Sequence, residues 1–290
     1  MSGADVLLAT VGTGRTQYDI ESGLLVEALS ERGLRSELVA WDAAIDWAAA
    51  ALVVVRTPWD YTERHELFLE WVRATAALTR VVNDAELIAW NMHKRYLVEL
   101  ACAGVPVVPT AVLPRGADAG DVRDALAACE GEVVIKPAIS GGARGTILVR
   151  AASEQAFAHL TGLLDVGDAL IQPFVNAVET AGEVSLVHFG GVFSHAVRKL
   201  AADGDFRVQE EHGGSVVAHV ATLAERAVAD AVLDAVAART AYARIDVVTT
   251  DDGPQLMEAE LIEPELFLAS DPEAPARFAE VLAERVPASP

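Results

Sequence analysis

Two stretches of this chain hold residue types whose spacing could do chemistry. The first is VVIKPAISGGARGT, Val133 to Thr146. An apolar strand there delivers Lys136, and a lysine within a run otherwise fit for burial costs free energy unless an anion meets it. Ser140, Gly141, Gly142, Ala143, Arg144 and Gly145 follow as a loop whose backbone N–H groups can wrap oxygens, with Arg144 adding charge. That combination suits a triphosphate, although it is not the GxxxxGK[ST] pattern of a Walker loop. The alternative is a strand lysine followed by an ordinary β-turn. The second stretch lies near the C-terminus. YARIDVV places Arg244 and Asp246 on one face of a strand, because side chains two apart point the same way. Twelve residues after Asp246, QLMEAELIEP does the same with Glu258 and Glu260. Three carboxylates and a guanidinium on neighbouring strands desolvate badly when left alone, and divalent cations resolve this. Oxygen ligands without Cys or His select Mg²⁺ or Mn²⁺, and Mg²⁺ normally shares its coordination with substrate phosphates. An exposed acidic sheet face is the alternative in a chain this acidic.

Other motifs carry less. VGTGRTQ follows the first strand, but Gln17 stands where the third glycine of GxGxxG belongs, so a tight turn bordering a substrate pocket is the better reading. HELF at His65 begins like a zinc-protease helix, yet Leu69 occupies the position of the second histidine. The seven histidines include no i, i+4 pair, and Cys102 and Cys129 sit in no CxxC or Cys/His pattern, so neither an imidazole site, a thiolate zinc site nor a disulfide scaffold has support.

These groups need elements to position them. The first ninety residues alternate in period as stacked βα units do: strands at Asp5 to Val11, Ser36 to Trp41 and Ala51 to Arg56, helices at Ile20 to Arg32 and Glu66 to Thr79, then Val81 to Asn83. An open parallel sheet follows, whose ligands collect outside the carboxyl ends of the strands. From Asn91 the pattern becomes mixed, with helices at His93 to Ala103, Asp118 to Cys129, Glu154 to Leu164 and Leu223 to Ala241. Strands are read at Glu132 to Pro137, Gly145 to Arg150, Ala169 to Pro173, Glu183 to Phe189, Val192 to Leu200, Ala243 to Thr249 and Gln255 to Leu261. The fold class is α/β, becoming α+β in the C-terminal part, with a boundary near Trp90.

With 290 residues, 52% of them apolar, the chain can bury two domains or one lobed unit. Forty-three acids against 22 bases give a formal charge of −21, which repels nucleic-acid backbones and anionic membrane surfaces, so neither is expected as a partner. No apolar run approaches the ~18–20 residues of a membrane span, and MSGADVLLATVG has no basic segment of a signal peptide. A reducing cytoplasm is the expected location.

With these pieces in order, the C-terminal two thirds resembles the ATP-grasp superfamily of carboxylate-amine ligases. The likeness rests on Lys94, Lys136, the loop SGGARG, the stretch IQPFV, and the pair RID and MEAE. It narrows to the cyclo-ligase group of D-cycloserine biosynthesis through WDY at Trp59, WNMHKRYL at Trp90, GVPVVPT at Gly104, GGVFSHAVRK at Gly190, GDFRVQ at Gly204 and ELIEPELFL at Glu260. The resemblance implies a pre-ATP-grasp substrate-side domain over 1–90, then an ATP-grasp fold of two α+β subdomains over 91–172 and 173–290. It implies ATP as cosubstrate with Mg²⁺ or Mn²⁺. Lys94 and Lys136 would contact the phosphates, and Ser140 to Gly145 would close over them. Gln172, Phe174 and Val175 would form the hinge against adenine, and Glu179 would hold the ribose. Asp246, Glu258 and Glu260 would bind metal, Glu260 standing where the superfamily has Asn, and Arg244 would face a developing oxyanion.

The activity implied is ADP-forming ligation, in which a carboxylate is activated as an acyl phosphate and an amine attacks it. Alignment and charge neutralisation by Lys136, Arg144, Arg244 and the metal should dominate. The substrate should be a small amino-acid derivative. Arg198, Lys199 and Arg207 are its candidate anion-binding residues, and Arg56, Trp59 and Asp60 are candidates to frame its amino end. Ring closure of the kind that converts O-ureido-D-serine to D-cycloserine, intermolecular amino-acid ligation, and addition to a peptide or protein tail all remain open, and the superfamily implies a homodimer.

Overall fold

The computed structural model describes residues 3–15, 19, 21–202, 207–208, 213–236 and 240–287. Its first unit is a parallel sheet of β1 (Val6–Thr10), β2 (Ser36–Ala40), β3 (Leu52–Thr57) and β4 (Arg80–Val82), in the order β2-β1-β3-β4. β1 and β3 read as unbroken apolar runs because helices cover both faces. The helices are α1 (Glu21–Glu31) and α2 (His65–Ala76). The order reverses beside β1, so the turn after β1 and the 3₁₀ turn Trp59–Glu63 after β3 lie together at the carboxyl ends.

The boundary near Trp90 falls inside a helix, α3 (Ala85–Asn91), which the sequence reading omitted. It is started by Asp84, whose carboxylate accepts the Leu87 N–H. α4 (Tyr96–Cys102) follows, shorter than the helix read from His93. The second sheet, antiparallel in order β5-β8-β6-β7, comprises β5 (Ala111–Leu113), β6 (Glu132–Pro137), β7 (Ile147–Arg150) and β8 (Ala169–Pro173). α5 (Ala119–Ala127) and α6 (Glu154–Leu164) pack on one side of it, through Val122, Leu126, Leu160 and Leu164 against Val133 and Ile135. The segment VPVVPT forms only a single bridge, Val107 to Leu256, before β5.

The third sheet runs β11-β10-β9-β12-β13. The short helix α7 (Ala177–Ala181) leads into β9 (Glu183–Phe189) and β10 (Val192–Leu200), which pair antiparallel. β11 (Ser215–His219) adds an edge strand absent from the sequence reading, and α8 (Leu223–Ala235) covers one face, opened by a Thr222/Glu225 capping box. β12 (Tyr242–Thr250) lies between β9 and β13 (Gly253–Glu260) and is buried along its first seven residues.

The C-terminal segment does not stay with this sheet. α9 (Ala274–Ala283) returns to the first unit, where Phe278 and Leu282 share one apolar core with Leu25 and Leu29 of α1, Leu52 of β3 and Phe189 of β9. Three cleft-facing elements thus meet along one line: the carboxyl ends of the parallel sheet, the β6–β7 loop, and the β12–β13 face. Among the described residues no helix is long and apolar enough to cross a membrane.

Candidate active site

The β12–β13 register sets Arg244 opposite Glu260 and Asp246 opposite Glu258, with a bulge immediately beyond. On the other side of β12, Ser185 of β9 lies opposite Asp246 and donates its hydroxyl to Oδ1 at 2.6 Å. Asparagines from the first unit fix this face: Asn91 takes the Leu261 N–H at 2.8 Å and donates to the Ala259 carbonyl at 2.8 Å, while Asn83 donates to the carbonyls of Tyr242 and Leu261. The sequence reading missed both. Their signal is amide side chains beside a predicted strand end and helix, too common to single out.

The charges on this face are paired. Lys94 bridges Glu258 Oε1 at 2.5 Å and the Ser140 carbonyl at 3.0 Å, so it ties the glycine loop to β13. Lys199 joins Asp246 at 2.9 Å and Glu183, its register partner on β9. Arg244 binds Asp246 through Nε and Nη2, each within 3.2 Å, and also reaches Glu260. Burial alone would raise the Asp246 pKa, but Arg244 and Lys199 outweigh it and hold the carboxyl far below its ordinary range. Glu260 goes the other way: burial, with Glu258 and Asp246 nearby, pushes it up to about 8 despite Arg244.

Lys136 differs from the other bases. Half-buried at the end of β6, it makes no ion pair among the described residues, and burial pulls its pKa down, an effect that Glu258 only partly offsets. Beyond it the loop turns on Gly145, whose φ is +70° and where a Cβ would lie 2.9 Å from the Pro137 ring. Arg144 reaches across to Glu63 at 2.7 Å, and Glu63 also accepts from Arg15 at 2.8 Å, so the loop rests on the first unit.

One cleft of about 1400 Å³ joins all of this. It brings together Lys94, Lys136, Ser140, Gly141, Gly142, Ala143, Arg144, Gly145, Gln172, Phe174 and Val175 with Lys199, Arg207, Arg244, Asp246, Glu258 and Glu260, and on the first unit Trp59 and Asp60. Several expectations need correction. Glu179 is exposed on α7 and lies off the cleft; the acid that lines it is Glu183, four residues on. Arg198 faces away, donating to the Ala181 carbonyl, because it neighbours Lys199 on a strand and side chains alternate. Arg56 is fully buried against Glu21 and the Pro264 carbonyl. Asp60 borders the cleft, but its carboxylate is taken up by Gly12 N–H, Trp41 Nε1 and Arg64. Lys199 is an ion-pair partner inside the acid cluster. Of GDFRVQ, residues 204–206 and 209 lie outside the described residues.

A divalent cation fits the donor chemistry of Asp246, Glu258 and Glu260, which are carboxylates facing one cleft with a surplus of negative charge. Among the described residues no group of three acids, histidines or cysteines is already arranged to hold an ion; lysines and arginine occupy the carboxylates instead.

Comparison with known proteins assigns the chain. Residues 6–83 match the N-terminal domain family of D-cycloserine synthetase DcsG, and residues 107–265 match the ATP-grasp domain family of prokaryotic glutathione synthetase. Over 291 aligned residues the chain is 37% identical to the cycloserine biosynthesis protein DcsG of Streptomyces lavendulae, covering 92% of this chain and 94% of that one. The chain belongs to the DcsG family of ATP-grasp ligases. A crystal structure of D-cycloserine synthetase DcsG superposes with a TM-score of 0.89 at 34% identity, over 97% of this chain and all of that one. A D-alanine–D-alanine ligase from Bacillus anthracis shares the fold, with a TM-score of 0.65 at 14% identity over 98% and 96% of the two chains. As an ATP-grasp ligase the protein forms C–N bonds at the expense of ATP, in a family that uses divalent metals.

Proposed function

We propose that this ATP-grasp ligase activates the carboxylate of a small amino-acid derivative as an acyl phosphate and closes it on a nitrogen of the same molecule with phosphate leaving the carbonyl, as in conversion of O-ureido-D-serine to D-cycloserine, where the carbamoyl group also departs from that nitrogen. The observation that carries the reading is the single cleft running from Lys136 and the glycine loop, past Arg244, to the first unit's Gly14, Arg15 and Trp59. The match of that first unit to the DcsG N-terminal domain supports a substrate of the same class, if its strand ends are taken as the substrate side.

In this reading Lys94, Lys136 and the N–H groups of Ser140 to Gly145 hold the phosphate chain, and Gln172, Phe174 and Val175 border the base. Asp246, Glu258 and Glu260 would hold magnesium, which supplies charge neutralisation on the transferred phosphoryl group. Arg244 faces the oxyanion that develops at the activated carbonyl. The Arg144–Glu63 contact keeps the loop down on the first unit and water away from the acyl phosphate. The protein contributes alignment and electrostatics, and no side chain serves as nucleophile.

The test is phosphate release from ATP and Mg²⁺ across D- and L-amino acids, ureido-amino acids and hydroxamates, with product masses recorded. Release with an O-ureido amino acid, giving a product smaller than its substrate and containing no second substrate, is the expected result. A product joining two molecules, or a mass gain on a peptide, replaces ring closure with intermolecular ligation.

A further inference from the structure

Glu21 lies in the first turn of α1, where a carboxylate ordinarily faces solvent and stabilises the helix dipole. Here its side chain is buried and engages a distant segment. Oε2 accepts the Leu266 N–H at 2.8 Å, and Oε1 accepts the Leu268 N–H at 2.6 Å. Phe267, between those amides, has φ +49°, a left-handed conformation that a bulky residue keeps only when its surroundings over-determine it. A carboxylate fastened to both flanking amides does so. Arg56 backs the arrangement, with Nη2 at 3.4 Å from Glu21 Oε2 and Nη1 donating to the Pro264 carbonyl at 3.3 Å. His195 Nε2 meets the Leu266 carbonyl at 2.9 Å.

The segment held this way makes two contacts with Arg244. The Glu265 carbonyl accepts from Nη1 at 3.1 Å, and the Phe267 ring centre lies 5.6 Å from the guanidinium carbon. Both restrain the edge of the guanidinium that Asp246 and Glu260 leave unfixed.

We propose that Glu21, backed by Arg56, is a positioning residue for the ligase reaction: it locks Pro264 to Leu268 in the backbone conformation that aims Arg244 into the cleft. The proposal rests on the reading of Arg244 as the group facing the oxyanion. A helix of the N-terminal unit thereby sets the geometry of an arginine on the C-terminal sheet.

Glu21→Gln tests this, because the amide keeps the shape but turns a hydrogen-bond donor toward one of the two N–H groups. kcat should fall about 10–100-fold. ATP affinity, measured by nucleotide titration, should stay within about twofold, since Lys94, Lys136 and the glycine loop are untouched. In an Arg244→Lys background the same change should lower kcat by less than about twofold, because no guanidinium remains to be aimed. Losses that multiply in the double variant, or a parallel loss of ATP affinity, overturn the proposal. A silent Arg244→Lys removes the underlying reading, so the two failures are distinguishable. If Glu21→Gln does not fold, Phe267→Gly serves instead: it accepts the left-handed φ and deletes the ring, and an unchanged kcat would overturn the proposal.

Discussion

At the residue scale, the acids lining the cleft outnumber its bases, and most of the bases on the β12–β13 face are spent on ion pairs. Lys94, Lys199 and Arg244 are committed to carboxylates, whereas Lys136 is not paired with any among the described residues. Lys136→Ala should therefore weaken nucleotide binding by about 1.5–3 kcal/mol, roughly 10–150-fold, the worth of a charge-assisted hydrogen bond. Nucleotide titration reads the loss, and the melting temperature should hold or rise because a desolvated charge has gone. Lys136, Asp246 and Glu258 were legible in the sequence because strand alternation forces them out of apolar runs. The same alternation argues against pairing Arg198 with Lys199, since adjacent strand residues cannot share a face; the sequence reading grouped them by charge and lost that distinction. His188 shows the period at work on the opposite face of β9, fully buried toward α8 near Asp230 and Arg226, with neither ring nitrogen partnered. Burial lowers its pKa to about 4, so between that value and the unfolded value of 6.5 the unfolded chain binds the extra proton. Stability attributable to His188 is complete above pH 6.5 and is lost on acidification toward 4, at up to ~1.4 kcal/mol per pH unit. Subtracting the denaturation curves of His188→Leu from those of the parent across pH 4–7 should isolate that slope; parallel curves would contradict it.

At the element scale, the glycine loop between β6 and β7 borders the cleft and rests on the first unit. Its contacts with the first unit include Arg144 on Glu63, Gly141 beside the Thr62 methyl group, and Ile139 against the apolar core around Trp41 and Phe68. The Arg144 and Glu63 side chains are 57% and 40% exposed, so solvent screens their ion pair, which restrains the loop without fixing the fold. Glu63→Ala should leave the melting temperature unchanged, accelerate tryptic cleavage after Arg144 several-fold, and let bound ATP restore protection. Digestion followed by mass spectrometry measures this, and unaltered cleavage would show that the loop is held by other contacts. Where the local apolar pattern is strong, the boundaries were legible: the one-sided helix α6, the buried strands β8 and β9, and β10 begin and end where the sequence reading put them. It failed where an element depends on distant partners. α3 is only seven residues long and is secured by Asn91 to β13, and β11 is an edge strand with mostly exposed side chains, so neither carries a local periodic signal.

At the scale of the whole molecule, the linear division into three consecutive units does not describe how the core is shared. α9, last in sequence, packs on α1, and Phe278 stacks on Phe189 of β9 with ring centres 4.8 Å apart and planes 8° from parallel. The same ring meets Tyr242 of β12 edge-on at 5.6 Å and lies 5.8 Å from the Arg56 guanidinium of β3. Tyr242 in turn donates toward the carbonyls of Val55 and Ile262. One phenylalanine thus touches the N-terminal sheet and the sheet that carries Asp246. The boundary was illegible because hydrophobic periodicity identifies an apolar face without naming its partner. The consequence is cooperative: the N-terminal unit and the C-terminal sheet should not unfold separately. Phe278→Ala should cost about 3–5 kcal/mol by leaving a cavity with three walls from two units. For a chain of this length that is on the order of 10 °C in Tm. Four of the five tryptophans, Trp41, Trp47, Trp59 and Trp71, lie on the first unit, so fluorescence is weighted toward it, while far-ultraviolet dichroism reports the whole chain. In the Phe278→Ala variant both signals should shift by the same amount and keep one transition. If the fluorescence transition moved alone, the N-terminal unit would be melting independently, and α9 would be a local brace instead of the joint that aligns the two walls of the cleft.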